Sequence, residues 1–189
     1  MACSVGPIDY QRALVVPRAK GEVVEIGIGS GRNLPHYDPS RVSRVIGIDP
    51  DTHLWKRARP EDSPVPVEHL PLSGESVPLP DNSADTVVVT YSLCTIPDPV
   101  AALGEMARLL RPGGRILFSE HGRAPDAGVR RWQRRLDPLW GRIAGGCHMG
   151  RDIPGLFRAA GLSLPDLQQR YIPGPRVLSY TYWGEAAQT

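Results

Sequence analysis

No run of apolar residues in this sequence approaches the roughly 18 that a membrane-crossing helix needs, so no transmembrane helix is expected. The opening residues, MACSVGPIDYQRALVVPRAK, have no basic segment followed by an apolar one, and no secretory signal is expected either. Cysteine is scarce and odd in number. Cys3, Cys94 and Cys147 are scattered, which speaks against a disulfide framework and for a reducing compartment, so the expected location is cytoplasmic. Lysine is nearly missing, since 20 of the 22 basic residues are arginine. Internal repeats and long disordered linkers are missing too.

What is present suits one globular domain, with 189 residues, 41% of them hydrophobic and 22% charged. The net charge of +2 is unevenly spread. Residues 1–120 carry 12 basic and 15 acidic side chains (net −3), whereas residues 121–176 carry 10 arginines against Asp126, Asp137, Asp152 and Asp166 (net +6). Composition bias is the first reading of the arginine excess, and a functional basic face the second.

Strand and helix signals alternate. A helix over IDYQRALVVPRA, limited by Pro17, is followed by strand GEVVEIG, a short helix after Ser30, strand RVIGIDP and helix DTHLWKRAR. Then come strand PVEHL, the turn-rich SGESVPLPDNSA, strand DTVVVTYS and helix PVAALGEMARLL. Asp98 can cap that helix with Pro99 in its first turn, and RPGG stops it before strand GRILFSE. Near-continuous apolar strands separated by helices predict a parallel sheet covered on both faces. Residues 127–143 predict a helix kinked or interrupted at Pro138. Its stripe of Trp132, Leu136, Leu139, Trp140 and Ile143 is expected to pack inward, with Arg130, Arg131, Arg134 and Arg135 in solvent. Another short helix is expected over 150–161. The tail, LPDLQQRYIPGPRVLSYTYWGEA, reads as two β-segments joined at Pro173-Gly174-Pro175, hence antiparallel.

The stretch VVEIGIGSGRN carries the chemistry. Gly27, Gly29 and Gly31 recur at every second residue after a strand, letting backbone N–H groups approach a ligand at a helix start. Eighteen residues after Gly31, Asp49 closes the next strand, where an acid can take both hydroxyls of a ribose. The spacing is G-x-G-x-G rather than the G-x-G-x-x-G of dinucleotide sites. Glu25 also suits a cofactor with a cationic amino-acid end better than a pyrophosphate. Both points favour S-adenosylmethionine over NAD.

VVEIGIGSGRN, GIDPD, LPDNSADTVVVTYSLCTI and EMARLLRPGGRILFSEHG, in this order, resemble class I S-adenosylmethionine-dependent methyltransferases of the type 11 branch. The resemblance implies a Rossmann-like, seven-stranded α/β sheet, mostly parallel with an antiparallel last strand and helices on both faces. It implies a single domain over 1–189, with an N-terminal lid helix over 1–20 and a helical insertion over 122–163 between strands five and six. By position, Glu25, Gly27, Gly29, Gly31 and Asn33 would hold the methionine end, Asp49 and Pro50 the ribose, and Thr90 would line the pocket. Ser73, Gly74 and Glu75 fall at the adenine contact, where Ser73 replaces the family's usual Asp and the Gly74 N–H remains available. S-adenosylhomocysteine would be the product.

The segment RRWQRRLDPLWGRIAGGCHMGRDI, with Trp132, Asp137, Pro138, Trp140, Gly146, Cys147 and Arg151, is similar to a narrower subgroup that includes alkyl-thiol methyltransferases. That resemblance implies a small, fairly apolar acceptor, with a thiol first. Methylation of a quinone precursor at carbon or of a phospholipid at nitrogen are the alternatives, and a non-catalytic S-adenosylmethionine-binding protein is the rival of another class. Candidate acceptor-side residues are His121, His148, Arg151 and, on the N-terminal lid, Tyr10. Cys94 reads as core and Cys147 as a small packing residue, and no metal is expected because no ligand pair has metal spacing. The 127–143 helix could touch an anionic membrane surface. No nucleic acid is expected, because aromatics do not interleave with its charges.

Overall fold

The computed structural model describes residues 6–189; Cys3 and the first five residues of the expected N-terminal lid lie outside them. The β-branched runs VVEI, VIGI and TVVV lack polar alternation, and each becomes the buried part of a strand. The strands are β1 (Gly21–Ile26), β2 (Val42–Ile48), β3 (Val67–Leu70), β4 (Ala84–Thr90), β5 (Leu110–His121), β6 (Leu162–Tyr171) and β7 (Tyr180–Gln188). They form one sheet in the order β3-β2-β1-β4-β5-β7-β6. β1 to β5 pair in parallel, and β7 runs antiparallel to both β5 and β6. The expected mostly parallel sheet with an antiparallel last strand is the one observed. Its order reverses between β1 and β4, and that switch point leaves a crevice at the strands' carboxyl ends.

Two apolar layers cover the faces. Leu103, Met106, Phe118 and Phe157 belong to one; Val15, Val23, Val88 and Leu117 belong to the other. Helix α1 (Gly6–Val15) gives way to a single 3-10 turn carrying Pro17. Helix α3 (Pro99–Leu109) begins where Asp98 Oδ1 accepts from the N–H groups of Val100 and Ala101, at 3.1 and 3.0 Å.

Three elements depart from expectation. After Ser30 the chain makes turns and a 3-10 helix over Leu34–His36, not an α-helix. Gly29 and Gly31 both have positive φ, and the bonds Leu34 N–H to Gly31 C=O and His36 N–H to Asn33 C=O close three-residue rings. The helix expected over DTHLWKRAR is one turn, α2 (Thr52–Trp55); beyond it Arg57 and Ala58 bond three residues back, to Leu54 and Trp55, and Arg59, before Pro60, leaves the helical region. The third concerns α4 (Ala127–Ile143), which runs through Pro138 with no interruption. Most of its apolar stripe points the wrong way for packing, and of the five expected residues only Trp140 is partly buried. Trp132 is 54% exposed, Leu139 60% and Ile143 71%, and Leu136 is exposed as well.

The inward side of α4 is polar, and this explains the reversal. Gln133 is buried; its Nε2 donates to the carbonyls of Gly122, Met149 and Val177 at 3.0–3.1 Å, and its Oε1 accepts from Ala124 N–H at 3.1 Å. Asp137 accepts from Met149 N–H (2.5 Å) and pairs with His148 Nδ1 (2.9 Å). Helix α5 (Ile153–Ala159) then returns the chain to the sheet through Ile153 and Phe157. Replacing Gln133 with Ala strands these buried backbone groups, each costing about 1–3 kcal/mol. We expect Gln133→Ala to lower unfolding free energy by about 3 kcal/mol in urea titrations and Leu139→Ala to change it by less than about 0.5 kcal/mol. A large loss from Leu139→Ala would mean that the stripe packs inward after all.

Candidate active site

The glycine turn ends β1. At Gly27, φ is +76° and an added Cβ would lie 2.0 Å from Ser92 Oγ, so only glycine fits. Gly29 differs: the nearest atom to its would-be Cβ, Asp49 Oδ2, is 3.7 Å away, and its N–H donates to that oxygen at 2.9 Å. Asp49, at the end of β2, accepts from Asp51 N–H with its other oxygen at 2.8 Å. Pro50 follows on the surface. Gly74 lies against Ile26, the residue before the turn, with 2.5 Å between its would-be Cβ and Ile26 Cγ2. Ser73 Oγ donates to Glu75, whose other oxygen accepts from Asp98 N–H at 2.7 Å. Glu75 is thereby engaged with the start of α3.

Behind the turn is a buried polar cluster. Glu25, 2% exposed, accepts from Asn33 Nδ2 at 2.9 Å and from the Tyr37 hydroxyl at 2.6 Å. Asn33 Oδ1 and Thr90 Oγ1 in turn accept from Arg12 Nη1, at 2.8 and 2.5 Å. Burial pushes the Glu25 pKa up to about 7, against the pull of Tyr37, Arg12 and Asn33. Burial, then the Glu25 charge, pushes the Tyr37 hydroxyl well above its ordinary value.

At the end of β4, Tyr91 holds a positive φ of 52°, a conformation that costs a non-glycine residue energy and is held by its surroundings. Its N–H donates to Ser119 C=O, the Arg12 guanidinium lies 5.3 Å from its ring centre, and the His121 ring stacks 6.4 Å away. The loop that follows is held by Glu120 on β5, whose Oε1 accepts from the N–H groups of Ser92 and Leu93 at 2.8 and 3.1 Å.

The donor set fits S-adenosylmethionine. A carboxylate (Glu25) beside a guanidinium (Arg12) complements a zwitterionic amino acid; Asp49 can take a ribose diol; and the opening over Gly29 leaves room for a ligand against the backbone. The Methyltransferase domain model matches residues 24–118, just over half of the chain. The chain belongs to the methyltransferase domain family. A thiol S-methyltransferase of Rattus norvegicus is 35% identical over 136 residues, covering 69% of this chain and 55% of that protein. A phosphatidylethanolamine N-methyltransferase of Cereibacter sphaeroides is 33% identical over 128 residues, covering 64% and 62%. The chain thus spans between about half and two thirds of the length of these curated relatives. A geranyl diphosphate methyltransferase solved with S-adenosylmethionine superposes with a TM-score of 0.73 at 13% identity, covering 96% of this chain and 85% of that one. At that identity the likeness is one of fold.

Within this methyltransferase domain, the expected acceptor-side residues do not line one cavity: Tyr10 borders one groove, and His148 and Arg151 border another. Tyr10 is 57% exposed and lines a surface groove with Arg170–Pro173. It does not cover the cluster; Arg12, two residues on and roughly on the opposite side of α1, points inward instead. Arg151 Nη1 donates to the carbonyls of Leu93 (2.5 Å) and Ile96 (2.7 Å), which makes it a clamp on the loop after β4. The His148 side chain is half exposed against Asp137, while its N–H donates to Cys94 C=O at 2.9 Å. His121 is buried as expected of a lining residue, but its Nε2 lies 3.3 Å from Cys147 Sγ.

Cys147 therefore needs correcting from a packing residue to a member of a polar cluster, although Cys94 is fully buried as a core residue should be. The hydrogen bond from Cys94, joined by the bond and charge of His121, outweighs burial and brings the Cys147 pKa down to about 4. Burial would lower His121; the bond to Cys147 and its charge outweigh that and raise it. The Cys94 thiol is pushed well above its ordinary value by Cys147 and by burial.

Arg12, Tyr37, Tyr91 and Glu120 were absent from the residues singled out in the sequence. The helical spacing of α1 does not distinguish Arg12 from a solvated arginine, whereas the acid of SEHG, at a strand end, is a signal by which Glu120 could have been found. Glu25 generates a stability signature. Its folded pKa of about 7 is raised from an unfolded 4.5, so the folded state retains the proton between those values and the carboxyl costs stability as pH rises through that window. Glu25→Gln should gain on the wild type from pH 4.5 to 7 and then hold a constant advantage of about 3 kcal/mol, at 1.36 kcal/mol per unit. Parallel stability curves for the two proteins in urea titrations across pH 4.5–8 would contradict this.

Proposed function

We propose that this chain is an S-adenosylmethionine-dependent methyltransferase whose acceptor is a small, fairly apolar thiol. The observation that carries the cofactor reading is the buried pair of Glu25 and Arg12 behind the glycine turn, with Asp49 in front of it. The thiol reading is supported by the likeness to thiol S-methyltransferases over most of the chain. It is also supported by the place of His121 at the carboxyl end of β5, where its ring stacks beside Tyr91.

When bound, the cofactor supplies an electrophilic methyl on a sulfonium; the protein's task is to hold and orient the reactants. Glu25 would take the ammonium group and Arg12 the carboxylate of the methionine end, with Asn33 and Thr90 keeping both in place. Asp49 would take the ribose diol, the Gly74 backbone would border the adenine, and Gly29 would let the backbone close on the ligand. Tyr91, fixed in its strained conformation, would form the wall between cofactor and acceptor. Orientation of this kind can contribute on the order of 7–11 kcal/mol to a displacement that needs no covalent catalysis.

A second reading, methylation of a lipid at nitrogen, is favoured by the outward stripe of α4. Trp132, Leu136, Leu139 and Ile143 face solvent, and the exposed arginines Arg131, Arg135 and Arg142 flank them. That is the pattern of a helix lying on an anionic membrane surface. Among the described residues no helix is long and apolar enough to cross a membrane.

The experiment follows S-adenosylhomocysteine formation with alkyl thiols, a quinol analogue and phosphatidylethanolamine vesicles, beside an Asp49→Ala control. We expect turnover on thiols, and about 10- to 100-fold weaker cofactor binding in the control, from lost charged hydrogen bonds worth about 1.5–3 kcal/mol. Turnover confined to vesicles would replace the thiol with the lipid. In a parallel sedimentation arm, anionic vesicles should carry down the protein at low salt but not a Leu139→Asp/Ile143→Asp variant. Equal pelleting of both would remove α4 as the contact.

A further inference from the structure

Three segments far apart in sequence bring soft ligands together: the loop after β4 (Cys94), the end of β5 (His121) and the loop after α4 (Cys147). Their ligand atoms all lie within 4.8 Å of one another, with Cys147 Sγ to His121 Nε2 at 3.3 Å. We propose that Cys94, His121 and Cys147 form a zinc site whose fourth position is open to the acceptor thiol.

Zinc–sulfur bonds of about 2.3 Å and zinc–nitrogen bonds of about 2.0–2.1 Å, arranged tetrahedrally, set ligand atoms roughly 3.6–3.8 Å apart. The cluster needs adjustments of about 1 Å or less to meet that spacing. Two thiolates and a neutral imidazole around a divalent cation sum to zero charge, which suits a site where Cys94 and His121 are buried. Cys147 is only partly buried and gives the ion a way in. Three protein ligands with an open position is the arrangement of zinc sites that bind and activate a further ligand.

The ligand-bearing segments are also held in place before any ion arrives. Glu120 fixes the backbone at Ser92 and Leu93, and Arg151 fixes it at Leu93 and Ile96. His148 N–H ties the Cys147 segment to Cys94 C=O, and Asp137 anchors that segment to α4. The bonds made by His148 and Arg151 are what position the two cysteines.

The open coordination position rests on the thiol reading above, whereas the ion site does not. There the acceptor thiol binds zinc as thiolate and releases its proton to solvent. The thiolate sulfur forms a bond to the cofactor's methyl carbon as the bond from that carbon to the sulfonium breaks. The products are a methyl thioether and neutral S-adenosylhomocysteine, and the released proton completes the balance. Zinc stays divalent throughout.

The test uses the reduced, folded protein. Purified with zinc present and then desalted, the wild type should hold about one zinc per chain. Cys94→Ser, Cys147→Ser and His121→Ala should each hold at least tenfold less, and His53→Ala, on the exposed helix α2, should retain it. Cobalt added to the metal-free wild type should give thiolate-to-cobalt charge-transfer and tetrahedral d–d bands, and a small alkyl thiol should shift them. The cobalt spectrum needs no variant, so misfolded variants would not blur the result. Wild-type protein with neither zinc nor cobalt bands overturns the site, even if it methylates thiols. Cobalt bands that no thiol shifts overturn the open position. Zinc and thiol-shifted bands without thiol turnover support the site and count against the proposed acceptor.

Discussion

A carboxylate buried to 2% exposure, at the carboxyl end of a central parallel strand, sets the terms for the rest of this molecule. Glu25 lies between β2 and β4, paired across to Gly47 and Val88, and is almost wholly screened from water. A charge there persists only with partners. The partners come from two directions: Tyr37 and Asn33 from the turns after the glycine stretch, and Arg12 from α1 through Asn33 and Thr90. Docking of α1 and the compact 3-10 path after Ser30 both serve this one group. Such polar burial is costly to stability, and a site for a zwitterionic ligand is a reason for it to be retained.

A second buried acid, Glu120, organises the neighbouring end of the sheet. It sits on β5 beside β4, and burial pushes its pKa up to about 7 although two backbone N–H groups bind it. By gripping the loop after β4 it makes that loop an extension of the sheet. Arg151 and His148 grip the same loop from the α4–α5 side. The carboxyl edge is therefore rigid where the cofactor would meet the acceptor, although most of it is loop. Rigidity of this origin suits a displacement reaction, which gains from orientation.

The sheet was legible in the sequence because apolar, β-branched runs separated by capped helices have few other solutions. VVEI, VIGI and TVVV became the three central strands, and Asp98-Pro99 became a capped helix start. The glycine turn and Asp49 were legible because their chemistry is local. Long-range features were not. Nothing in IDYQRALVV marks Arg12 as the inward residue, and nothing in the spacing of Cys94, His121 and Cys147 shows that the fold brings them together. The orientation of α4 was misread for a related reason. A stripe of Trp, Leu and Ile reads as core-facing unless Gln133 and Asp137 are known to find buried partners on another side.

A Glu25–Arg12 cluster that receives the amino-acid end of the cofactor must distinguish ligands that carry that end from those that lack it. Calorimetric titration of the wild-type protein with S-adenosylhomocysteine and with 5′-methylthioadenosine, which lacks that end, tests it most directly. The account predicts that loss of the amino-acid end weakens binding by about 100-fold or more, as expected for two charged contacts of about 1.5–3 kcal/mol each. Equal affinity for the two compounds would contradict it and leave the buried acid without a ligand.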